Sequence, residues 1–128
     1  MLNTNQTFRK SERLTGEVQV AELYAKGKSF MAYPYRVVYL FEPSDSPSAR
    51  VLISAPKKRF KHAVDRNRIK RLTREAYRRQ KAALYAALQE RGVSARLALN
   101  YVGDEMIPYE RTEQKINAVI GRLIEKMA

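Results

Sequence analysis

The sequence predicts a single-domain α+β fold, an α/β sandwich with element order αβββαβα in which helices cover a four-stranded sheet. Three observations predict it. The chain has 128 residues, 45% of them hydrophobic, enough for one compact core and too few for two domains. Four short runs rich in aromatic and β-branched residues alternate with three stretches of helical period. No apolar run approaches the ~18 residues of a membrane span, and the absence of cysteine excludes a disulfide scaffold. Element by element, residues 1–12 read as a polar, flexible N-terminal segment before a domain over 13–128. Thr15 is placed to cap a helix over 16–25, with Val20, Leu23 and Tyr24 at i, i+3 and i+4 and Gly27 as its stop. Strands follow over 29–33, 35–41 (YRVVYLF) and 50–55 (RVLISA), with the proline-containing segment 42–49 as a loop and Pro56 ending the third strand.

From 64 to 90 neither Gly nor Pro interrupts a run of helix formers. On that helix Ile69, Leu72, Thr73, Ala76, Gln80, Leu84 and Ala87 fall on one flank suited to a sheet. Asn67, Lys70, Arg71, Arg74, Arg78 and Lys81 gather on another. Arg91-Gly92 closes the helix and 96–102 (RLALNYV) is the fourth strand. A turn over 103–107 leads to Pro108, which suits a first helical turn. The last helix, over 108–127, aligns Ile116, Val119, Ile120, Leu123 and Met127 as a core stripe.

The net charge of +12 points to a polyanionic partner, and it is not evenly spread. Twelve basic residues lie between Lys57 and Lys81 against only Asp65 and Glu75, so this window holds +10 of the total. With so few acids the helix cannot neutralise itself through i,i+4 pairs. Arg66, Asn67 and Arg68 open the helix, where free backbone N–H groups and the positive end of the dipole already favour phosphate. Lys70, Arg71 and Arg74 extend that surface by a turn. An asparagine amide among arginines is suited to a base edge or a 2′-hydroxyl.

The string from Lys61 to Arg79, KHAVDRNRIKRLTREAYRR, resembles the protein subunit of bacterial ribonuclease P. That family carries Arg-Asn-Arg at the opening of a long helix, behind a strand that leads into Lys-Lys, here Lys57-Lys58. The resemblance takes in Arg13-Leu14, the first helix and the later elements, and so covers residues 13–127. It implies a ribosomal-protein-S5-domain-2-like sandwich with a left-handed βαβ crossover. The general rule for crossovers would give the opposite hand. It also implies an accessory role, in which a large catalytic RNA and its magnesium ions remove the 5′ leader from precursor tRNA and no metal is bound tightly by the protein alone. Carried onto this chain, the resemblance assigns Arg66, Asn67, Arg68, Lys70, Arg71, Arg74 and Arg78 to the catalytic RNA. It assigns Tyr24 and Tyr39 to a leader cleft between the first helix and the sheet, with Val38 as the alternative one place earlier. Lys57, Lys58 and Tyr101 join that leader site. A tyrosine there stacks on any base, which suits a leader of variable sequence. Val20, His62 and Pro56 depart from the family pattern.

The expected partners are thus the catalytic RNA and precursor tRNA, with neither membrane nor DNA, in the cytoplasm. A ribosomal or other structured-RNA-binding protein is the alternative function, since size and charge suit both; the Arg-Asn-Arg string with its Lys-Lys lead-in separates them. A protein-only nuclease would need clustered acids for magnesium. Asp104-Glu105 instead reads as a solvated turn, and His62, the only histidine, as a surface residue. A membrane-surface helix is disfavoured because the apolar flank of 64–90 is rich in alanine and lacks Trp and Phe.

Overall fold

The computed structural model describes residues 8–127. Its strands are β1 (Lys28–Ala32), β2 (Tyr35–Pro43), β3 (Ala49–Ser54) and β4 (Val93–Tyr101). Its helices are α1 (Glu17–Lys26), α2 (Ala63–Arg91) and α3 (Tyr109–Lys126). The order αβββαβα is as expected, with one short 3₁₀ turn, Lys10–Glu12, added before it. The sheet runs β1-β2-β4-β3; β1 with β2 and β2 with β4 are antiparallel, and β3 with β4 is parallel. The long α2 is therefore the crossover between the two parallel strands.

Strand alternation sorts the sheet into two unlike faces. Tyr35, Val37 and Tyr39 of β2 align with Tyr101, Leu99 and Leu97 of β4. They pack under α2 and α3 with Ile69, Leu84, Ile116 and Leu123 to form the main core. Val38 and Ala98 face the other way, against Leu14 of the N-terminal stretch and Leu23 of α1. Within the core, the Tyr35 hydroxyl shares a 2.7 Å hydrogen bond with the Thr73 Oγ1, and burial pushes the Tyr35 pKa up to about 12.

Local chemistry sets the ends of the elements. The helix α1 is capped by Gly16, at φ 94°, and Thr15 provides no capping hydrogen bond. At Gly27 a Cβ would sit 2.9 Å from the Tyr39 carbonyl oxygen, so only glycine lets α1 turn this closely into β1. Gly92, at φ 66°, ends α2 in the left-handed conformation and donates to the Leu88 and Gln89 carbonyls. Because a single residue completes that stop, β4 begins at Val93 and pairs with Pro43, three residues before the expected start.

Two expectations are corrected. Residues 8–12, placed in a flexible 1–12 segment, are packed against the domain, while 1–7 lie outside the described residues. Phe8 stands edge-on to Tyr77, and Glu12 is buried with its carboxylate 2.5 Å from the Lys81 ammonium. The second correction is Lys81 itself. Expected on the basic surface, it is 1% exposed, because the 3₁₀ turn covers this part of α2. The apolar seam of α2 also turns with the helix, taking in Tyr77, Tyr85 and Leu88, whereas Leu72 and Ala87 are only half-buried.

Candidate nucleic-acid interface

The first half of α2 presents its cations in two ways. Arg66 turns back on the preceding loop, its Nη1 donating to the carbonyls of Phe60 at 2.8 Å and Lys61 at 2.9 Å. It braces the approach to the helix as well as charging it. Asn67, Arg68 and Arg71 are exposed, and Lys70 and Arg74 half-exposed. Among the described residues Arg68, Lys70, Arg71 and Arg74 make no ion pair. Arg78 is different. Its guanidinium lies 2.5 Å from Glu75. The hydrogen bond to that carboxylate raises the Arg78 pKa and lowers that of Glu75. The unpaired cations thus run over two turns, from Arg68 to Arg74, and resume past Arg78 with the exposed Arg79, which also makes no ion pair among the described residues.

Beside this row lies a cleft of about 220 Å³ at the outer edge of β3, lined by Arg13, Leu14 and Leu52 together with Lys70 and Arg74. Arg13 is held there because its backbone bridges in parallel to Val51, extending the β3 edge. Phe8 lies on the same cleft, its ring centroid 5.8 Å from the Arg13 guanidinium. Sequence reasoning gave Arg13 no place in the site. Position 13 lies 57 residues from Lys70 in the sequence, and no local pattern signals that strand extension brings the two together.

Across the sheet, α1 packs on β2 and reaches β4 through its side chains. Gln19 accepts from Arg50, and Arg96 is fixed between Glu22 and Glu42, each at 2.6 Å. At the opposite end the Tyr24 hydroxyl donates to Asn100 Oδ1 at 2.8 Å, and the Ser54 hydroxyl donates to the same atom at 3.1 Å. The Tyr24 side chain remains 46% exposed, so its ring is open to a ligand. Arg36 shares this face, and its carbonyl accepts from Asn100 Nδ2 at 3.2 Å. Lys57 and Lys58 are exposed just beyond the end of β3.

Two expected cleft residues are not on this face. Tyr39 is buried in the main core between Phe30 and Phe41, under α2 and α3. Val38, the alternative, is the β2 residue that faces α1. Tyr101 is also in the main core, edge-on to Tyr35 at 5.5 Å. Its neighbour Asn100 takes the position that faces α1. The reason is the same for both: one step along a strand exchanges the faces. His62 precedes α2 without a side-chain capping bond. Among the described residues no three His, Asp or Glu side chains gather as they would to hold a metal ion, and no helix is long and apolar enough to cross a membrane.

Comparison with known proteins adds to this geometry. The family model described as Ribonuclease P matches residues 8–123. The chain is 41% identical to the ribonuclease P protein component of Porphyromonas gingivalis over 115 residues, covering 89% of this chain and 84% of the relative. It is 38% identical to that of Chlorobium phaeobacteroides, covering 76% and 73%. Among solved structures, the RNase P protein of Staphylococcus aureus superposes with a TM-score of 0.66 at 20% identity, covering 89% of this chain and 96% of the other. That of Thermotoga maritima superposes with a TM-score of 0.61 at 24% identity, covering 87% and 96%. These two likenesses concern the fold.

Proposed function

The chain belongs to the bacterial ribonuclease P protein family, and from that membership we propose that it serves a catalytic RNA in removing the 5′ leader of precursor tRNA, holding the RNA on α2 and the leader on the α1 face of the sheet. The observation that carries this reading is the row Arg68, Lys70, Arg71 and Arg74, which no acid of the described chain neutralises. A phosphate backbone satisfies such a row, with guanidiniums making paired hydrogen bonds and the lysine acting as a point charge. Asn67 stands beside the row with an amide that can both donate and accept. On the other face, the open Tyr24 ring is a stacking platform. Asn100 and Ser54 form its polar surround, the exposed Arg36 lies opposite Asn100 on β2, and Lys57 and Lys58 carry charge just beyond the end of β3. This arrangement reads backbone and base plane rather than base identity, as a leader of variable sequence demands.

In this reading, which follows from the family membership, hydrolysis and the magnesium it uses belong to the RNA. The compartment it requires is the cytoplasm, where precursor tRNA is made. The test is cleavage of precursor tRNA by a bacterial ribonuclease P RNA at low magnesium, with and without the protein. Cleavage should rise when the protein is added, and the gain should be lost in the Arg68→Ala, Arg74→Ala double variant. Equal cleavage with and without the protein would overturn the proposal.

A further inference from the structure

We propose that the protein has a second nucleotide site, away from both the α1 face and the basic helix: the hollow lined by Tyr33, Glu105, Arg111 and Lys115 takes one extruded RNA nucleotide, its base against Tyr33 and its phosphate on Arg111 and Lys115. The proposal rests on the RNA-binding reading above but assigns it a new surface. The hollow measures about 310 Å³, at the small end of sites for compact ligands. It lies between the turn joining β1 to β2, the loop after β4 and the first turns of α3.

Its walls are fixed. The Val102 N–H donates to the Pro34 carbonyl at 2.7 Å, and the Tyr101 hydroxyl donates to the Glu105 carbonyl at 2.5 Å. Gly103 draws the two loops together: a Cβ there would lie 2.8 Å from Pro34 Cβ and 3.5 Å from the Tyr33 hydroxyl. The Tyr33 side chain nonetheless remains 59% exposed, an aromatic surface held in place and left uncovered. Arg111 and Lys115 are four residues apart on α3 and so project from one side of the helix. Among the described residues neither has an ion-pair partner.

The acids of the hollow decide the kind of ligand. Asp104 is paired with Arg59. That leaves Glu105 against two cations, so the hollow retains positive charge for a phosphate. The Glu105 carboxylate is an acceptor for ring N–H and amino groups, and guanine presents both on one edge. An aromatic plane, a carboxylate and two cations around one small hollow match the three parts of a guanosine phosphate better than they match a bare anion or an apolar ligand.

The test is a titration of the full-length, ¹⁵N-labelled protein with guanosine 5′-monophosphate, compared with ribose 5-phosphate, which lacks the base. Guanosine 5′-monophosphate should shift the amides of Gly103, Asp104 and Arg111, and ribose 5-phosphate should bind there roughly tenfold more weakly, as the loss of one base stack implies. Tyr33→Ala should bring the nucleotide down to the level of the sugar phosphate, and Lys115→Ala should weaken both. Both side chains are at the surface, and the unperturbed remainder of each variant's spectrum verifies its fold. The proposal is overturned if the nucleotide shifts only amides of α2, if nucleotide and sugar phosphate bind alike, or if the variants bind like wild type. None of these results bears on leader binding or on assembly with the catalytic RNA, which this titration does not measure.

Discussion

Tyr24 and Tyr39 carry the same side chain on opposite faces of the sheet, and replacing each by leucine should separate their roles. Tyr24→Leu removes an open ring from α1 while keeping an apolar group of fair size. The loss of one stack should cost about 1–3 kcal/mol of affinity for precursor tRNA with a leader several nucleotides long. Affinity for mature tRNA and for the catalytic RNA should be unchanged. Binding of the reconstituted enzyme to the two tRNAs checks this, and an equal loss for both would remove Tyr24 from the leader site. Tyr39→Leu instead reduces a ring packed between Phe30 and Phe41. It should lower stability by roughly 1–3 kcal/mol in urea denaturation and show no leader-specific effect. The family resemblance, not the spacing, placed Tyr24 on a cleft: with Val20 and Leu23 at i, i+3 and i+4 it reads as part of an apolar helix stripe, yet its ring is 46% exposed. The sequence did not make Tyr39 legible, because four of the seven residues in YRVVYLF are large and apolar at adjoining positions. A strand with apolar residues on both faces does not announce which face a given tyrosine takes.

At the scale of elements, the 3₁₀ turn Lys10–Glu12 is tied to α2 through one carboxylate. Glu12 accepts from the Lys81 ammonium at 2.5 Å, the Tyr85 hydroxyl at 2.7 Å and the Arg9 N–H at 2.6 Å. Burial alone would raise its pKa, but those hydrogen bonds and the Lys81 charge outweigh it and hold the carboxyl below its ordinary value of 4.5. The folded state therefore binds this proton less readily than the unfolded chain does. The stabilisation is complete above about pH 4.5 and is lost as the pH falls through the folded-state pKa. Glu12→Gln keeps the shape but removes the negative charge that Glu12 supplies to the buried Lys81 ammonium, at a cost of order 3 kcal/mol near neutral pH. Urea midpoints should show that cost shrinking as the pH drops below 4.5, and a gap independent of pH would mean the pair is not ionised in the fold. This clamp was illegible in the sequence because the segment KSE has no apolar period and its partner lies 69 residues away. The seven principal elements were legible from period and punctuation. Their ends moved where one glycine did what a longer signal was expected to do: Gly16 caps α1 in place of Thr15, and Gly92 alone separates α2 from β4.

For the whole molecule, the distribution of charge matters more than its sum. The clamp withdraws Lys81 from the surface, Glu75 engages Arg78 and Asp104 engages Arg59, so three of the twelve basic residues of the +10 window are taken up by acids, while the row from Arg68 to Arg74 stays accessible together with Lys57, Lys58, Lys61 and Arg79. Arg13 and Lys70 stand at the cleft beside it. The overall reading of a basic RNA-binding domain was legible from composition, but which cations stay free depends on tertiary pairing that composition does not encode. The same chain has no cysteine and a single histidine, so it offers neither a thiol nucleophile nor a His-paired metal site. Purified free of RNA, it should leave precursor tRNA intact at any magnesium concentration, a result read directly on a denaturing gel. With the catalytic RNA present, the free row should dominate assembly. Each cation that neutralises a phosphate releases counterions, so affinity should fall steeply with salt. Arg68→Ala and Arg74→Ala should each weaken assembly by roughly 1–3 kcal/mol. Each should also make the slope of log affinity against log salt shallower by about one unit, the scale set by phosphate contacts on duplex DNA. Arg78→Ala should leave the slope nearly unchanged, since its guanidinium is already engaged by Glu75. Filter binding of the three variants across a salt series measures all of this, and a slope that moves equally for Arg78 and Arg74 would mean that the pairing with Glu75 does not persist on the RNA.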